Sequence, residues 1–454
     1  MPPARTPTAG TLIRVVTSPL YRATAPTKVA FEPVSGYSYA MAFGIRLPNG
    51  RFQLAIAPGP RDWKSQINAL VRAYRFPEPV YVTRPTMPDL DEYTEYLRGI
   101  WERRWLTNDG VLHQELERRL CEYLDVEYLS LFCNGTIALL VALQALRISS
   151  GEVITTPFTF PATAHVLYWN GLRPVFCDID EATFNIDPNY IERLIGSETK
   201  AILAVHVYGT PCDVNAIQAI ADRHGLHVIY DAAHAFGVNC QGRSIMHYGD
   251  MSMLSFHATK LFSTIEGGAL VSRTAAQRSR INFLKNFGIA GEEEVIGPGI
   301  NGKMDEFHAA FGLLHLRMVD AEIALRKGIA GIYRERLAKV PGLTLPRESG
   351  LTQPNYAYVP ILVNPIEYGL NRDELFQVLR SCNIISRKYF YPLVSRAPCY
   401  AALPSAEPAR LPVAERAASR VLCLPIYGTL PSQTVHRICD VIETCHKLNA
   451  ETAE

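Results

Sequence analysis

The sequence predicts an α/β fold built on a mostly parallel central sheet, with a smaller α+β part after it and an extra region before it. Three observations carry this. Between about residues 128 and 272, short runs rich in Val, Ile and Leu alternate with segments of helical spacing, as expected of parallel strands covered by helices on both faces. After Gly302 that alternation gives way to a long helical region and then to sparser strands. Hydrophobic residues make up 48% of the 454, and charged residues 20%, enough apolar material for the cores of two or three domains.

The elements follow in chain order. Residues 1–78 form the N-terminal extension. There YAMAFGIRLPNGRFQLAIAPG reads as a hairpin turning at Asn49-Gly50, and DWKSQINALVRAY as a short amphipathic helix capped by Asp62. Residues 79–324 form the large α/β domain. YLSLFC, EVITTP, RPVFCDI, KAILAVHVYG, LHVIYD, MSMLSF and GALVS are its strands, and TIALLVALQAL, PATAHVLYWN and NAIQAIADRHG are helices between them. Residues 325–454 form the small α+β domain. The helical stretch MDEFHAAFGLLHLRMVDAEIALRKGIAGIYRERLAKV leads into it, with a break expected near Lys327-Gly328 and an end near Pro341-Gly342. YAYVPILV is a strand, NRDELFQVLRSC a helix opened by Asn371, ISRKYFYPL a second strand and TVHRICDVIETC the terminal helix.

Composition removes several function classes. Net charge is +1 with no basic tract, so a nucleic-acid partner is not expected. The ten cysteines are scattered through apolar segments without a Cys-x-x-Cys pair, which suits buried thiols in a reducing cytoplasm and argues against a zinc site or a disulfide framework. LSLFCNGTIALLVALQAL looks membrane-like, but Asn134-Gly135-Thr136 interrupts it; a strand, a turn and a helix explain it better than a membrane span. The stretch MPPARTPTAGTLIRVV lacks the apolar run of a secretory signal. No membrane association is expected.

Four features carry chemistry. Lys260, in SFHATKLFSTIEGG, follows the strand MSMLSF; a lysine partly removed from water loses charge stabilisation, and its free amine can attack a carbonyl. Asp231 ends the strand LHVIYD, where open α/β sheets place their ligands, and a carboxylate there can hold a proton on a pyridine nitrogen. Asn134-Gly135-Thr136 runs into an apolar helix, and exposed amides at a helix N-terminus make a phosphate cradle. Phe160 lies at another strand end, where a flat ring can stack on a planar cofactor. Each feature alone has a plainer reading: a solvated lysine, a capping aspartate, an ordinary helix cap, a core aromatic. Together they are what pyridoxal 5′-phosphate requires. His257 reads as packing or capping, Glu266 with its two glycines as shaping a turn, and no metal is needed.

The same residues resemble a known family. FCNGTIALLVALQAL, VITTPFTFPATA, PVFCDID, HVYGTPCDV, VIYDAAHAFG, SFHATKLFSTIEGGALV and GINGKMDEFHAAFGLLHL are similar to successive blocks of the DegT/StrS-type sugar aminotransferases. WLTNDG, RKYFYPL and LPVAERAASRVLCLPIY match further blocks, so the resemblance runs from about Pro79 to about residue 445. It implies the aspartate aminotransferase fold (fold type I) and pyridoxal phosphate dependence. Position by position, Lys260 is similar to the Schiff-base lysine and Asp231 to the partner of the ring nitrogen. Gly135, Thr136 and Ser255 resemble phosphate contacts and Phe160 the stacking ring. His234 matches the side chain flanking the cofactor's phenolic oxygen, where many members have Gln. Asn301 corresponds to a residue reaching the phosphate from the other subunit, which implies a homodimer with shared sites. Thr107, Asn108, Lys303 and Tyr389 fall in blocks that line the sugar pocket. Lys303 departs from the usual Arg, keeping the charge but not the planar fork, and residues 1–78 lie outside the pattern.

The resemblance implies a two-stage exchange. L-Glutamate gives up its amino group, and a keto-sugar nucleotide takes it. SFHATK with INGKM and RKYFYPL looks closest to members that aminate dTDP-4-keto-6-deoxyhexoses at the fourth carbon, giving dTDP-4-amino-4,6-dideoxyhexoses. Amination of a 3-keto isomer is the near alternative. A pyridoxamine-dependent dehydratase would carry His in place of Lys260, and a catalytically silent regulatory or scaffold member would not be expected to keep Lys260, Asp231 and Thr136 together.

Overall fold

The computed structural model describes residues 43–46, 52–55, 63–346 and 350–450. It divides into two units, Met1–Arg61 and Asp62–Glu454. In the first, strands Phe43–Arg46 and Phe52–Ala55 pair antiparallel, with Phe43 opposite Ala55. These are the arms of the expected hairpin; the turn Asn49-Gly50 and the cap Asp62 lie outside the described residues.

In the second unit a seven-stranded sheet runs in the order Tyr128–Phe132, Gly268–Ser272, Met251–Ser255, His227–Asp231, Thr199–Val205, Glu152–Thr155, Arg173–Phe176. Neighbours are parallel except around Gly268–Ser272, which is antiparallel to the strands on either side. The strand interiors are largely apolar because both faces are covered. Ile202, Ala204, Val228, Tyr230 and Leu254 enter one core with Leu116, Leu120, Ile217 and Ala309 from helices Val111–Leu124, Val214–His224 and Glu306–Leu316. The alternate residues Ala201, Leu203, Ile229 and Met253 enter the other, filled by Leu139, Ala142, Val166 and Ile281 from helices Gly135–Ala145, Ala162–Trp169 and Ala275–Leu284. The membrane-like run is thus a strand and a helix of this layer, and among the described residues no helix is long and apolar enough to cross a membrane. All ten cysteines are free thiols.

A third core joins helices Val319–Leu337, Arg372–Ser381 and Ser432–Ala450 to strands Val359–Val363 and Val421–Leu424. Leu70 of helix Trp63–Tyr74 lies in this core, with Phe76 and Val80 after it. The segment therefore packs with the C-terminal part, whereas the sequence grouping ended an N-terminal region at 78; amphipathic spacing marks a buried face but not its partner. Helix Val319–Leu337 also crosses position 324, with Val319 in the first core and Ile329 to Leu337 in the third.

Two local expectations differ from the structure. The helix continues through Lys327-Gly328, and the break falls after Leu316 instead. A helical glycine costs about 1 kcal/mol, which burial of Arg326, Ile329 and Ala330 around it offsets. Of ISRKYFYPL only Ile385 lies in a strand, the two-residue Ile384–Ile385 that pairs with Val80–Tyr81. Phe390 turns inward instead and packs on Phe158, Tyr208 and His234, while Tyr391 stays exposed.

Candidate active site

The parallel strands deliver their carboxyl ends to one edge of the sheet, and the loops leaving that edge carry the residues with chemical potential. Because Gly268–Ser272 runs the other way, its first residue lies at the same edge, paired with both Phe132 and Ser255.

Helix Gly135–Ala145 begins there. Asn134 caps it, its side chain accepting from the Ile137 amide at 2.9 Å, which leaves the Gly135 and Thr136 amides without intrahelical partners. Two glycines permit the close packing. A Cβ on Gly135 would lie 2.8 Å from Met253 Sδ and 3.1 Å from Ser255 Cβ, and one on Gly268 would lie 2.6 Å from the Gly135 nitrogen. Ser255 thus sits against the helix start, with the exposed Thr136 beside it. Amides, two hydroxyls and the positive end of a helix dipole fit a phosphate group.

Lys260 stands on a loop closed by backbone bonds from Phe256 to Gly267 (2.8 Å) and from Thr264 to Phe256 (2.9 Å). Phe256, Leu261 and Phe262 anchor it in the core, with Phe262 stacked on Phe236 at 4.5 Å; each such Phe contributes about 1.5–3 kcal/mol by burial. His257 caps the turn: its Nδ1 lies 2.8 Å from Thr259 Oγ1, and its carbonyl accepts from the Lys260 amide at 2.8 Å. The exposed Glu266 accepts a hydrogen bond from Thr264 Oγ1 on its backbone oxygen at 2.7 Å, so it shapes the turn. Lys260 is half-buried, in a cleft with Ala233, His234, Thr259, Ala357 and Tyr358. Withdrawal of its ammonium from water lowers its pKa to about 8, against an opposing pull from Asp231. At pH 7 roughly a tenth of such lysines are free amine, against roughly three in ten thousand at an ordinary pKa.

Asp231 is buried. Thr163 Oγ1 donates to its Oδ2 at 2.8 Å and the Ala233 amide to its Oδ1 at 3.1 Å, while Thr159 and Thr163 share a further 2.8 Å contact. Burial pushes the carboxyl up; the two donors and the Lys260 charge hold it partly down. A carboxylate so placed retains acceptor capacity and gains from a cationic N–H partner. His234, also buried, accepts the Tyr208 amide on Nδ1 at 3.2 Å. Its Nε2 therefore carries the proton, and burial first, then the Lys260 charge, keeps the ring neutral. Phe390 stacks on it at 5.8 Å and Tyr358 tilts against it at 4.7 Å. Tyr389 packs edge-on to Tyr358 at 5.9 Å, and its carbonyl accepts from Tyr208 Oη. The Phe160 ring is 60% exposed, free to cover a planar ligand. An open helix N-terminus flanked by two hydroxyls, a buried carboxylate, a neutral imidazole, an exposed ring and an amine of low pKa together fit pyridoxal phosphate.

Four predicted residues lie apart from this group. Thr107 and Asn108 are exposed on the loop after helix Leu90–Arg103. Asn301 is exposed and accepts from Lys303 Nζ at 3.1 Å; that ammonium also donates to Asn286 Oδ1 at 2.7 Å and lies 4.8 Å from the Phe287 ring centroid. Among the described residues no hydrogen bond or ion pair joins these four to Lys260 or Asp231. Thr163, Tyr208 and Tyr358 escaped sequence reading. Only the alternation of small polar residues in PFTFPATA hints at Thr163; nothing local marks the other two.

Residues 89–443 match the DegT/DnrJ/EryC1/StrS aminotransferase family. Over 364 residues the chain is 50% identical to a dTDP-4-amino-4,6-dideoxy-D-glucose transaminase of Escherichia coli, spanning 80% of this chain and 97% of that one. Over 365 residues it is 48% identical to a protein of the same description from Shigella dysenteriae, spanning 80% and 98%. Among solved structures it resembles DesI, crystallised in the presence of its TDP-sugar product, with a TM-score of 0.79, 34% identity, and coverage of 84% of this chain and 97% of that one.

Proposed function

The chain belongs to the DegT/DnrJ/EryC1/StrS aminotransferase family, and we propose that it transfers an amino group from L-glutamate to the fourth carbon of a dTDP-4-keto-6-deoxyhexose, using pyridoxal 5′-phosphate. The product is a dTDP-4-amino-4,6-dideoxyhexose. One observation carries the reading: Lys260, its pKa lowered to about 8, shares the sheet edge with the buried Asp231 and a helix N-terminus shaped for phosphate. The names of the relatives favour the fourth carbon over the third.

Pyridoxal phosphate, when bound, supplies the electron sink that transamination needs. The Gly135 and Thr136 amides, with the Thr136 and Ser255 hydroxyls, hold its phosphate. Phe160 covers the ring. Asp231 holds a proton at the ring nitrogen, and Thr163 keeps Asp231 aimed. His234 donates from Nε2 toward the phenolic oxygen. Lys260 Nζ would hold the cofactor's carbonyl carbon, and as a free amine it would carry the proton from the donor's α-carbon. Thr107, Asn108, Lys303 and Tyr389 orient the sugar, and Asn301 reaches the phosphate of a second copy. Exposed Trp105 and Leu106 beside Thr107, and Phe287, Val295 and Ile296 near Asn301, support a homodimer that covers them. The free thiols suit a reducing cytoplasm.

The test is a panel of keto-sugar nucleotides incubated with L-glutamate, the product identified by mass and NMR. Amine on the fourth carbon of the dTDP-4-keto-6-deoxyhexose is expected. Amine on the third carbon of a 3-keto isomer alone, or no amination of any member, would sink the proposal.

A further inference from the structure

Helix Val111–Leu124 starts at Gly110, which has no side chain to cap it. Its first amides are satisfied from another element. Glu306, the first residue of helix Glu306–Leu316 and fully buried, accepts from the Leu112 amide on Oε2 at 3.1 Å and from the His113 amide on Oε1 at 2.8 Å. The same residue donates its own amide to the Leu106 carbonyl at 3.0 Å. Gly110 lies so close that a Cβ there would stand 2.5 Å from Glu306 Cδ. One residue therefore grips both ends of the segment Leu106–Gly110.

Thr107, Asn108 and Asp109 lie between those grips, all exposed. Asn108 and Asp109 both hold positive φ, 62° and 60°. Consecutive left-handed residues without glycine persist only where the surroundings fix them, and such backbone gathers at ligand sites. His113, in the helix that follows, adds a 3.0 Å contact to Asp109. Glu306 also sits three residues after Lys303, so the loop's anchor directly follows the Asn301–Lys303 segment along the chain.

We propose that Glu306 is a positioning residue that sets the loop Leu106–Gly110 for the nucleotide sugar. The inference rests on the reading of Thr107 and Asn108 as sugar-pocket residues. Glu306 touches neither substrate nor cofactor; it acts through the loop.

Glu306→Gln keeps the shape but loses the charge and one of the paired acceptors. In the full-length, cofactor-loaded enzyme it is expected to raise KM for dTDP-4-keto-6-deoxyglucose about tenfold with kcat changed less than about twofold, the pattern of lost positioning before chemistry. The visible band of the lysine-bound cofactor stays in place, and backbone hydrogen exchange across residues 106–113 speeds up. Glu306→Asp keeps the charge but withdraws the carboxylate from the Leu112 and His113 amides and serves if the first variant does not fold; the same KM rise is expected. Unchanged exchange across 106–113, or faster exchange with KM unmoved, would overturn the proposal, as would loss of the cofactor band together with kcat. If the wild-type protein aminates no keto-sugar nucleotide, the substrate reading fails by itself, and exchange across 106–113 still decides whether Glu306 holds the loop.

Discussion

Lys260 and Asp231 lower each other's cost of burial, but neither is fully compensated: the lysine's pKa falls to about 8 while the carboxyl's rises. The reactive form of the lysine is the neutral amine, so its fraction grows as pH rises through that value. Capture of pyridoxal phosphate by the apoprotein should therefore accelerate with pH and reach its half-maximal rate near 8, not above 10, in stopped-flow absorbance. Asp231 depends in turn on Thr163. Thr163→Val removes a hydrogen bond to a charged group, worth about 1.5–3 kcal/mol, and should lower kcat about ten- to hundredfold while the cofactor stays bound; steady-state kinetics beside an absorption spectrum checks this. Asp231 was legible because it ends a strand, and Lys260 because it stands on the loop that follows one, the edge where open α/β sheets place their ligands. Thr163 was not, because its partner lies 68 positions away.

At the level of elements, close packing explains the pair Gly267-Gly268 at the exit from the Lys260 loop. A Cβ on Gly267 would lie 2.0 Å from Thr264 Oγ1, and one on Gly268 within 2.7 Å of the Asn134 and Gly135 backbone. Gly268→Ala should cost about 1–3 kcal/mol by overpacking and open the phosphate cradle, seen as a lower Tm and a weaker Kd for pyridoxal phosphate. Local caps read directly from sequence: Asn371 accepts from the Asp373 and Glu374 amides and closes a capping box with Glu374. Caps supplied from afar do not. Asp178, in the block PVFCDID, accepts from the Val413 and Ala414 amides at 2.9 and 2.8 Å, 235 and 236 positions along, much as Glu306 caps helix Val111–Leu124. The acidic residues of these blocks looked like pattern, and their work is visible only once the chain is folded. The stretch 386–393 escaped for a related reason: its alternating character suits a strand, but its aromatic partners lie on other loops.

For the whole molecule, strand–helix alternation made the sheet legible, whereas the boundaries were not, since amphipathic spacing leaves the partner face unnamed. The consequence is measurable. Removing residues 1–61 should leave kcat/KM unchanged, because the unit Asp62–Glu454 keeps all four of its apolar cores. Removing residues 1–78 also takes away the buried Leu70 and Phe76, each worth about 2–5 kcal/mol, and should lower Tm markedly. The most direct measurement is borohydride reduction of the protein loaded with pyridoxal phosphate, followed by peptide mapping. A single phosphopyridoxyl group on the peptide containing Lys260, absent in Lys260→Ala, is the expected result. Reduction that labels another lysine, or none, would contradict it.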